Sequence, residues 1–476
     1  MKYLFYSFSV FFLMNIIHSL KAQTVPFELV FGDSNINEKG IASLQLPDGS
    51  ILMVGNTDAT ENGNSEISLT KFSAEGQFIW SETYGTPNHD YANNAVITQD
   101  GKIAIVAESH TIVGGNADGM VLLVDMDGSE IWLNFFGEEH LNESFYSIDK
   151  TNDNGVIICG FITGEGFGND HFVAKISQNG EMVWSKSYGS QKNEIGVSIK
   201  ETLNGDFIFV GDKQQENNAY GIEAFRLDKN GDIIWQLDIN GFENGGCKNM
   251  LIDSRGDCVI VGEAVPKKNE GFDILLVKID AQGGLIWEKF IDGTEKGDAG
   301  FDLMELDAGG YMVAGYGFNA ETQQTDVVVS QVNIEGENVE IQYFGGLGFD
   351  IGYDIIPSIE GGYYVTGSSY SETDNQYFLV HNYPLSVGIE DKGISGLSWT
   401  VYPNPLSDAT TLLQLDAAFP LEKVVVSVFD SKGILVFNHF YNNLQNILLP
   451  AELNSGTYIL QLAIKNDTFY KKIIVR

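Results

Sequence analysis

Residues 196–239 read "GVSIKETLNGDFIFVGDKQQENNAYGIEAFRLDKNGDIIWQLDI", and this stretch decides the fold. It contains four short apolar runs: "GVSIKET", "DFIFVGD", "IEAFRLD" and "DIIWQLDI". Each reads as a strand bounded by turn formers. The last two are joined across "KNG" at 229–231, which predicts a two-residue hairpin turn because Asn and Gly tolerate positive φ.

The unit recurs. Trp80, Trp132, Trp184, Trp235 and Trp287 fall on a period of 51 to 53 residues, each four residues after a glycine: Gly76, Gly128, Gly180, Gly231 and Gly283. The next unit keeps Gly336 but has Glu340 in the tryptophan position. A second landmark, the residue closing strand two, gives Gly55, Ala107, Gly160, Gly211, Gly262, Gly315 and Gly367. Seven units of four antiparallel strands predict an all-β chain built on a seven-bladed β-propeller. "FELVFG" at 27–32 matches strand four, with Phe27 in the tryptophan position, and the seventh unit lacks a fourth strand of its own. The N-terminal strand is therefore expected to complete the last blade and close the ring, leaving no open edge.

At a fixed blade position a large ring is expected to pack on the neighbouring blade; a sugar-stacking platform is the other reading of the tryptophans. "DKNGDIIW" also resembles the docking motif of quinoprotein dehydrogenases, but seven units and no vicinal cysteine pair speak against that family.

The chain has 476 residues, 53 of them glycine and 10 proline, and a formal charge of −38. Such a surface repels nucleic acid and anionic lipid, so neither is an expected partner. Residues 1–22 read as a cleaved secretory signal: Lys2, a short apolar run interrupted by Asn15 and His18, and Ala22 before the cut. No second run spans a bilayer, so the mature chain is expected to lack a transmembrane segment. Cys159, Cys247 and Cys258 are too few for a disulfide scaffold. The hairpin near Arg255-Gly256 sets Ile252, not Cys247, opposite Cys258, so buried free thiols are expected.

Just before strand one of each unit stand Glu38, Asp90, Glu143, Glu194, Gly245, Asp298 and Asp350, acidic in six of seven. Carboxylates so arranged around an axis suit calcium, the one cofactor the sequence suggests, or else cap the turn entering strand one. A role repeated in every blade favours the turn. A second acidic series opens strand three: Glu66, Asp118, Asp170, Asp273 and Asp326, with Gly221 and Gln376 as exceptions. His89 and His140 occupy similar loops and could meet at one end of the channel. No H-E-x-x-H, G-x-S-x-G or phosphate loop occurs, and no catalytic residue can be nominated.

After a linker at 386–399 the composition changes. Residues 400–476 carry the β runs "TTLLQLD", "KVVVSVFD", "GILVFNHF", "TYILQLAI" and "FYKKIIVR", predicting a small immunoglobulin-like β-sandwich. The segment opens on Tyr402-Pro403-Asn404-Pro405. It continues with "VSVFDSKGILV" around Gly433, "LNSGTYILQL" around Gly456 and Tyr458, and "YKKIIV" with Lys471 and Lys472. In that order these motifs resemble the C-terminal sorting domain of type IX secretion cargo in Bacteroidetes. The resemblance implies export by the Sec machinery, recognition by an outer-membrane translocon and processing by a sortase. The protein would then be secreted or attached at the cell surface. Residues 23–385, the propeller, resemble more loosely the repeats of secreted bacterial propellers, with their "D-G-x-(I/Y)-x-V-x-G" strand, a resemblance that carries no defined activity. The expected function is binding or adhesion, with a glycan or protein as ligand. The alternatives are an extracellular glycosidase or lyase and a purely structural surface protein.

Overall fold

In the computed structural model the described residues are 26–475, apart from 33–35, 59–63, 111–116, 138–140, 164–167, 267–270, 292–296, 308, 321, 347, 360, 371–374, 383–396, 403–411, 418–423, 431–434, 442–445, 449–455 and 465–466. The signal segment 1–22 and His140 lie outside them.

Alternating Val, Ile, Leu and Phe with glycine turns makes short strands that cannot bury both faces alone. The described chain answers with seven four-stranded antiparallel sheets at 38–84, 89–136, 143–188, 194–239, 244–291, 299–344 and 349–382. The last contains three strands in chain order, and Phe27–Phe31 supplies the fourth by pairing antiparallel with Asn375–Asn382, Phe27 opposite His381 and Phe31 opposite Tyr377. The first strands of all seven blades touch one another in a closed cycle, ending with Glu38–Gln45 against Phe349–Pro357. Strand one is thus innermost and the ring is closed, as the sequence predicts.

The core is divided among the blade junctions. Among the described residues seven apolar clusters are each drawn from two adjacent blades. The cluster joining blades 7 and 1 contains Ile51, Met53, Phe72, Tyr364, Tyr377 and Leu379, with Phe27, Leu29 and Phe31 packed against it.

The hairpin turns correct one expectation. At 228–232 only Gly231 has positive φ, at 82°. Gly231 N donates to Asp228 O, Asp228 N donates to Asp232 O, and the register shifts between Arg226 and Leu227. This is a longer turn with a glycine bulge, not a two-residue turn. Its cause is Asp228, whose carboxylate accepts from Asn230 N at 2.8 Å and Asp232 N at 2.9 Å and stabilises the extra residue.

All three cysteines are free and buried, with Ile252 opposite Cys258. Burial pushes their thiol pKa values up, which keeps them inert.

The C-terminal residues form seven strands in two sheets. One holds Leu397–Tyr402, Leu412–Ala417 and Asn446–Leu448; the other holds Val424–Asp430, Leu435–Tyr441, Gly456–Ile464 and Asp467–Val475. Leu397–Tyr402 crosses the expected linker boundary, and neither it nor Asn446–Leu448 is among the runs read from sequence.

Candidate functional site

The tryptophans are architectural. Each sits over the hairpin glycine of the next blade: Trp80 over Gly128, Trp132 over Gly180, Trp184 over Gly231, Trp235 over Gly283 and Trp287 over Gly336. A Cβ on Gly231 would lie 3.0 Å from the Trp184 ring. Indole N–H groups donate to the same hairpins, Trp132 to Gln178 O at 3.3 Å, Trp184 to Lys229 O at 3.2 Å and Trp235 to Ala281 O at 3.2 Å. Phe27 covers Gly76 in the same way. The two landmarks of the repeat are therefore one interlock between blades.

The acidic series lies at the entry to the inner strands. Glu38, Asp90, Glu143, Glu194, Asp298 and Asp350 are all buried. Asp90 accepts from Thr86 N and Oγ1, Glu194 from the Ser190 hydroxyl and N, and Asp350 from Gly346 N. In each case the donor stands four residues earlier, so the carboxylate closes the turn leading in. Asp298 accepts from Phe318 N at 3.3 Å instead. The two acidic series also meet. At Gly137 an added Cβ would lie 2.9 Å from Asp118 Oδ1 and 3.1 Å from Glu143 Oε2. Each pair joins strand three of one blade to strand one of the next, and where Gly221 replaces one member Gly245 replaces the other. Among the described residues no group of three or more His, Cys, Asp or Glu is placed to hold a metal ion.

A second belt of polar groups crosses the inner strands one turn deeper. Ser198 Oγ donates to Asn249 Oδ1 at 2.7 Å, and Asn249 Nδ2 to Asp302 Oδ1 at 2.6 Å. Ile355 N donates to Asp302 Oδ2 at 2.9 Å, and Ser43 N and its hydroxyl to Asp354 Oδ2. Burial pushes both carboxyl pKa values up, Asp302 further still because Asp354 stands beside it, while the bonds from Ser43 partly offset the effect on Asp354. Two carboxyls so placed ionise together only at high cost, which favours the form in which they share a proton. A raised folded-state pKa means that the pair's stabilising contribution is full below the ordinary carboxylate range and is lost as pH rises through the folded-state value. Asp354→Asn keeps the acceptor for Ser43 and replaces the shared proton by a fixed N–H. We expect this variant to melt about 2–4 °C above wild type at pH 8, for a gain of roughly 1–2 kcal/mol, and to differ little at pH 4. Melting curves across that range check it.

The inner strands also carry a feature that breaks the repeat. Every first strand is bulged at the same point, and in blades 6 and 7 the bulged residues are Phe301 and Tyr353. These two rings pack edge to face at 5.1 Å. Tyr316 lies 5.9 Å from Phe301 and 6.0 Å from Phe349, and Phe349 lies 5.9 Å from Tyr370. The hydroxyls of Tyr353 and Tyr370 close the cycle at 3.1 Å. Four of the rings are half-buried and Phe349 is 43% exposed. The Lys39 ammonium stands over the Tyr353 ring at 4.1 Å, where burial lowers its pKa. Lys248 flanks Phe301 and pairs with Glu263 at 3.0 Å; burial works against its charge, but Glu263 outweighs this and holds its pKa up. Because first strands begin and second strands end at one face, all five rings gather at that mouth of the channel. Chemically this is a stacking surface with hydroxyl tips and two cations at its edge.

Sequence reading passed over these aromatics because they are spread over residues 301–370 in four strands. The available signal was their coincidence at equivalent positions of neighbouring units. His89 is paired in register with His110, stacks on Tyr91 and accepts from Ser65 N, while His110 pairs with Glu108; the expected partner of His89, His140, lies outside the described residues.

Of the sorting motif, Tyr402 ends Leu397–Tyr402, Gly456 and Tyr458 lie in Gly456–Ile464, and Lys471 and Lys472 in Asp467–Val475. Pro403, Asn404, Pro405 and Gly433 fall outside the described residues. Residues 400–476 match the family model described as the secretion system C-terminal sorting domain. No curated protein matches the chain in sequence. Among solved structures, the chain is similar to the β-propeller domain of the trilobed protease from Pyrococcus furiosus, at 12% identity and TM-score 0.43, over 72% of this chain and 96% of that one. It is similar to a polysaccharide lyase of family PL25, an ulvan lyase, at 12% identity and TM-score 0.49, over 75% and 96%. It is also similar to an α-L-arabinanase from Penicillium chrysogenum, at 8% identity and TM-score 0.45, over 75% and 97%. The chain is thus a β-propeller with a type IX sorting domain, secreted or displayed at the cell surface.

Proposed function

We propose that the propeller is a carbohydrate-binding module whose stacking surface is the aromatic cycle at the channel mouth. The observation that supports this most is the contact of Phe301, Tyr316, Phe349, Tyr353 and Tyr370 at one face, partly open to solvent. Flat apolar rings take the C–H faces of pyranoses, and tyrosine hydroxyls at their rims take the sugar hydroxyls. A site for transient capture outside the cell suits a propeller that is exported. Binding of the chain from residue 23 to a panel of soluble polysaccharides tests the reading, with new reducing ends and unsaturated products scored in parallel. The double variant Phe301→Ala with Tyr353→Ala is expected to weaken retention at least tenfold, about 1.4 kcal/mol or more, as loss of two stacking rings requires. Retention that survives the double variant, or products accumulating with wild type, would overturn the proposal.

A further inference from the structure

Blade 4 departs from the repeat at one place, beside a pocket. Five blades open strand three with an acid; blade 4 has Gly221. Beside Gly221 lies a cavity of about 430 Å³ lined by Lys213, Gln215, Asn217, Gly221, Asp238 and Asn240. That volume lies within the range of ligand sites, roughly 300–1,000 Å³. Gln215 Nε2 donates to Asn240 Oδ1 at 2.9 Å, and a Cβ on Gly221 would run into both atoms.

The wall behind is equally particular to this blade. Glu223 is buried where the other blades have Ser68, Met120, Phe172, Leu275, Val328 and Phe378. Its carboxylate accepts from His171 Nε2 at 3.3 Å, from Lys213 Nζ and from Gln236 Nε2 at 2.9 Å. Burial opposes its ionisation, but the bonds from His171 and Lys213 win and hold its pKa at about 2. The Lys213 ammonium is thereby committed to Glu223, with Asp238 at 3.4 Å, and Lys192 at the rim pairs with Glu216 at 3.3 Å. Neither cation is left over for an anionic ligand. What remains is a set of fixed donors and acceptors, amides beside a carboxylate, without an aromatic floor.

We infer that this pocket binds the end of a neutral, hydroxyl-rich glycan, with Asp238 and the Gln215 and Asn240 amides bridging neighbouring hydroxyls. The site shares no residue with the aromatic cycle, so each stands or falls without the other. Calorimetric titration of the chain from residue 23 with maltotriose, cellotriose and mannotriose, and separately with a tri-uronate and with inorganic sulfate, tests it. At least one neutral trisaccharide is expected to bind, and Gly221→Asp, which restores the side chain usual at this position, is expected to weaken that binding tenfold or more. Its melting temperature should stay within about 2 °C, since five blades already hold an acid here. Asn240→Ala should weaken binding severalfold, and Tyr353→Ala should leave it unchanged. Absence of binding by every neutral sugar, tighter binding of the tri-uronate or sulfate, or full affinity in both Gly221→Asp and Asn240→Ala would overturn the inference.

Discussion

A chain that begins at residue 33 is expected to melt about 10 °C below the chain that begins at residue 23, and to associate on standing. Among the described residues the deleted segment is the only fourth strand of blade 7, paired with Asn375–Asn382 over five residues. Its loss removes Phe27, Leu29 and Phe31 from the junction between blades 7 and 1 and uncovers Tyr364, Tyr377 and Leu379. Three half-buried apolar side chains contribute about 1–2 kcal/mol each, and the ladder bonds a few tenths to one each. The total is roughly 5–8 kcal/mol, and for a domain of this size one kcal/mol moves the midpoint by less than about 2–4 °C. The strand also covers an edge: without it Asn375–Asn382 presents unpaired N–H and C=O groups, which invite pairing between chains. A synthetic peptide of residues 23–34 should restore much of the lost melting temperature in a concentration-dependent way, because it refills the same slot. Melting curves and light scattering decide the matter. A truncated chain that melts within 2 °C of its parent and stays monomeric would show that the ring does not depend on this closure.

That closure also explains why the repeat could be read and where reading stopped. The period was legible because Trp is rare enough to stand out and each ring of the series is seated on a hairpin glycine of the next blade. Even the exception has a cause. Unit 6 has Glu340 in place of tryptophan, and the blade it faces has no hairpin between strands three and four, because strand four comes from the N-terminus. With no hairpin glycine to cover, no indole is needed. The acidic series was legible as a pattern, yet its pairing was not, since partners stand about 24 residues apart in adjacent blades. Their joint loss at Gly221 and Gly245 was the clue. The bulge turns were misread because Asp228, not the Asn-Gly pair, sets the turn length. The aromatic cycle and the blade 4 pocket lay beyond sequence reading because they occupy positions where the repeat is broken, and one chain does not say which breaks converge in space.

Deleting residues 400–476 is expected to change where the protein goes and not how the propeller melts. The ring closes through its own N-terminal strand, and the blades end at Asn382. Among the described residues no strand of the terminal module enters a propeller sheet, so removing it deprives no described blade strand of a partner. The sorting domain is the part the secretion machinery reads. Within it, Asp467–Val475 is an edge strand, paired only with Gly456–Ile464, with Lys471 opposite Leu460 and Lys472 opposite Ile459. An edge strand near the end of the chain offers backbone groups and a basic pair to a partner. Loss of the whole module should therefore reduce surface display at least tenfold and leave the propeller in the periplasm, with its midpoint unchanged within about 2 °C. Deleting residues 467–476 alone should have the same effect on location, because it removes that edge and leaves Gly456–Ile464 uncovered. Fractionation with protease shaving of intact cells, together with melting of the purified truncations, separates the outcomes. Undiminished display without the module would overturn its role as the address. A lowered propeller midpoint would show that the module supports the ring after all.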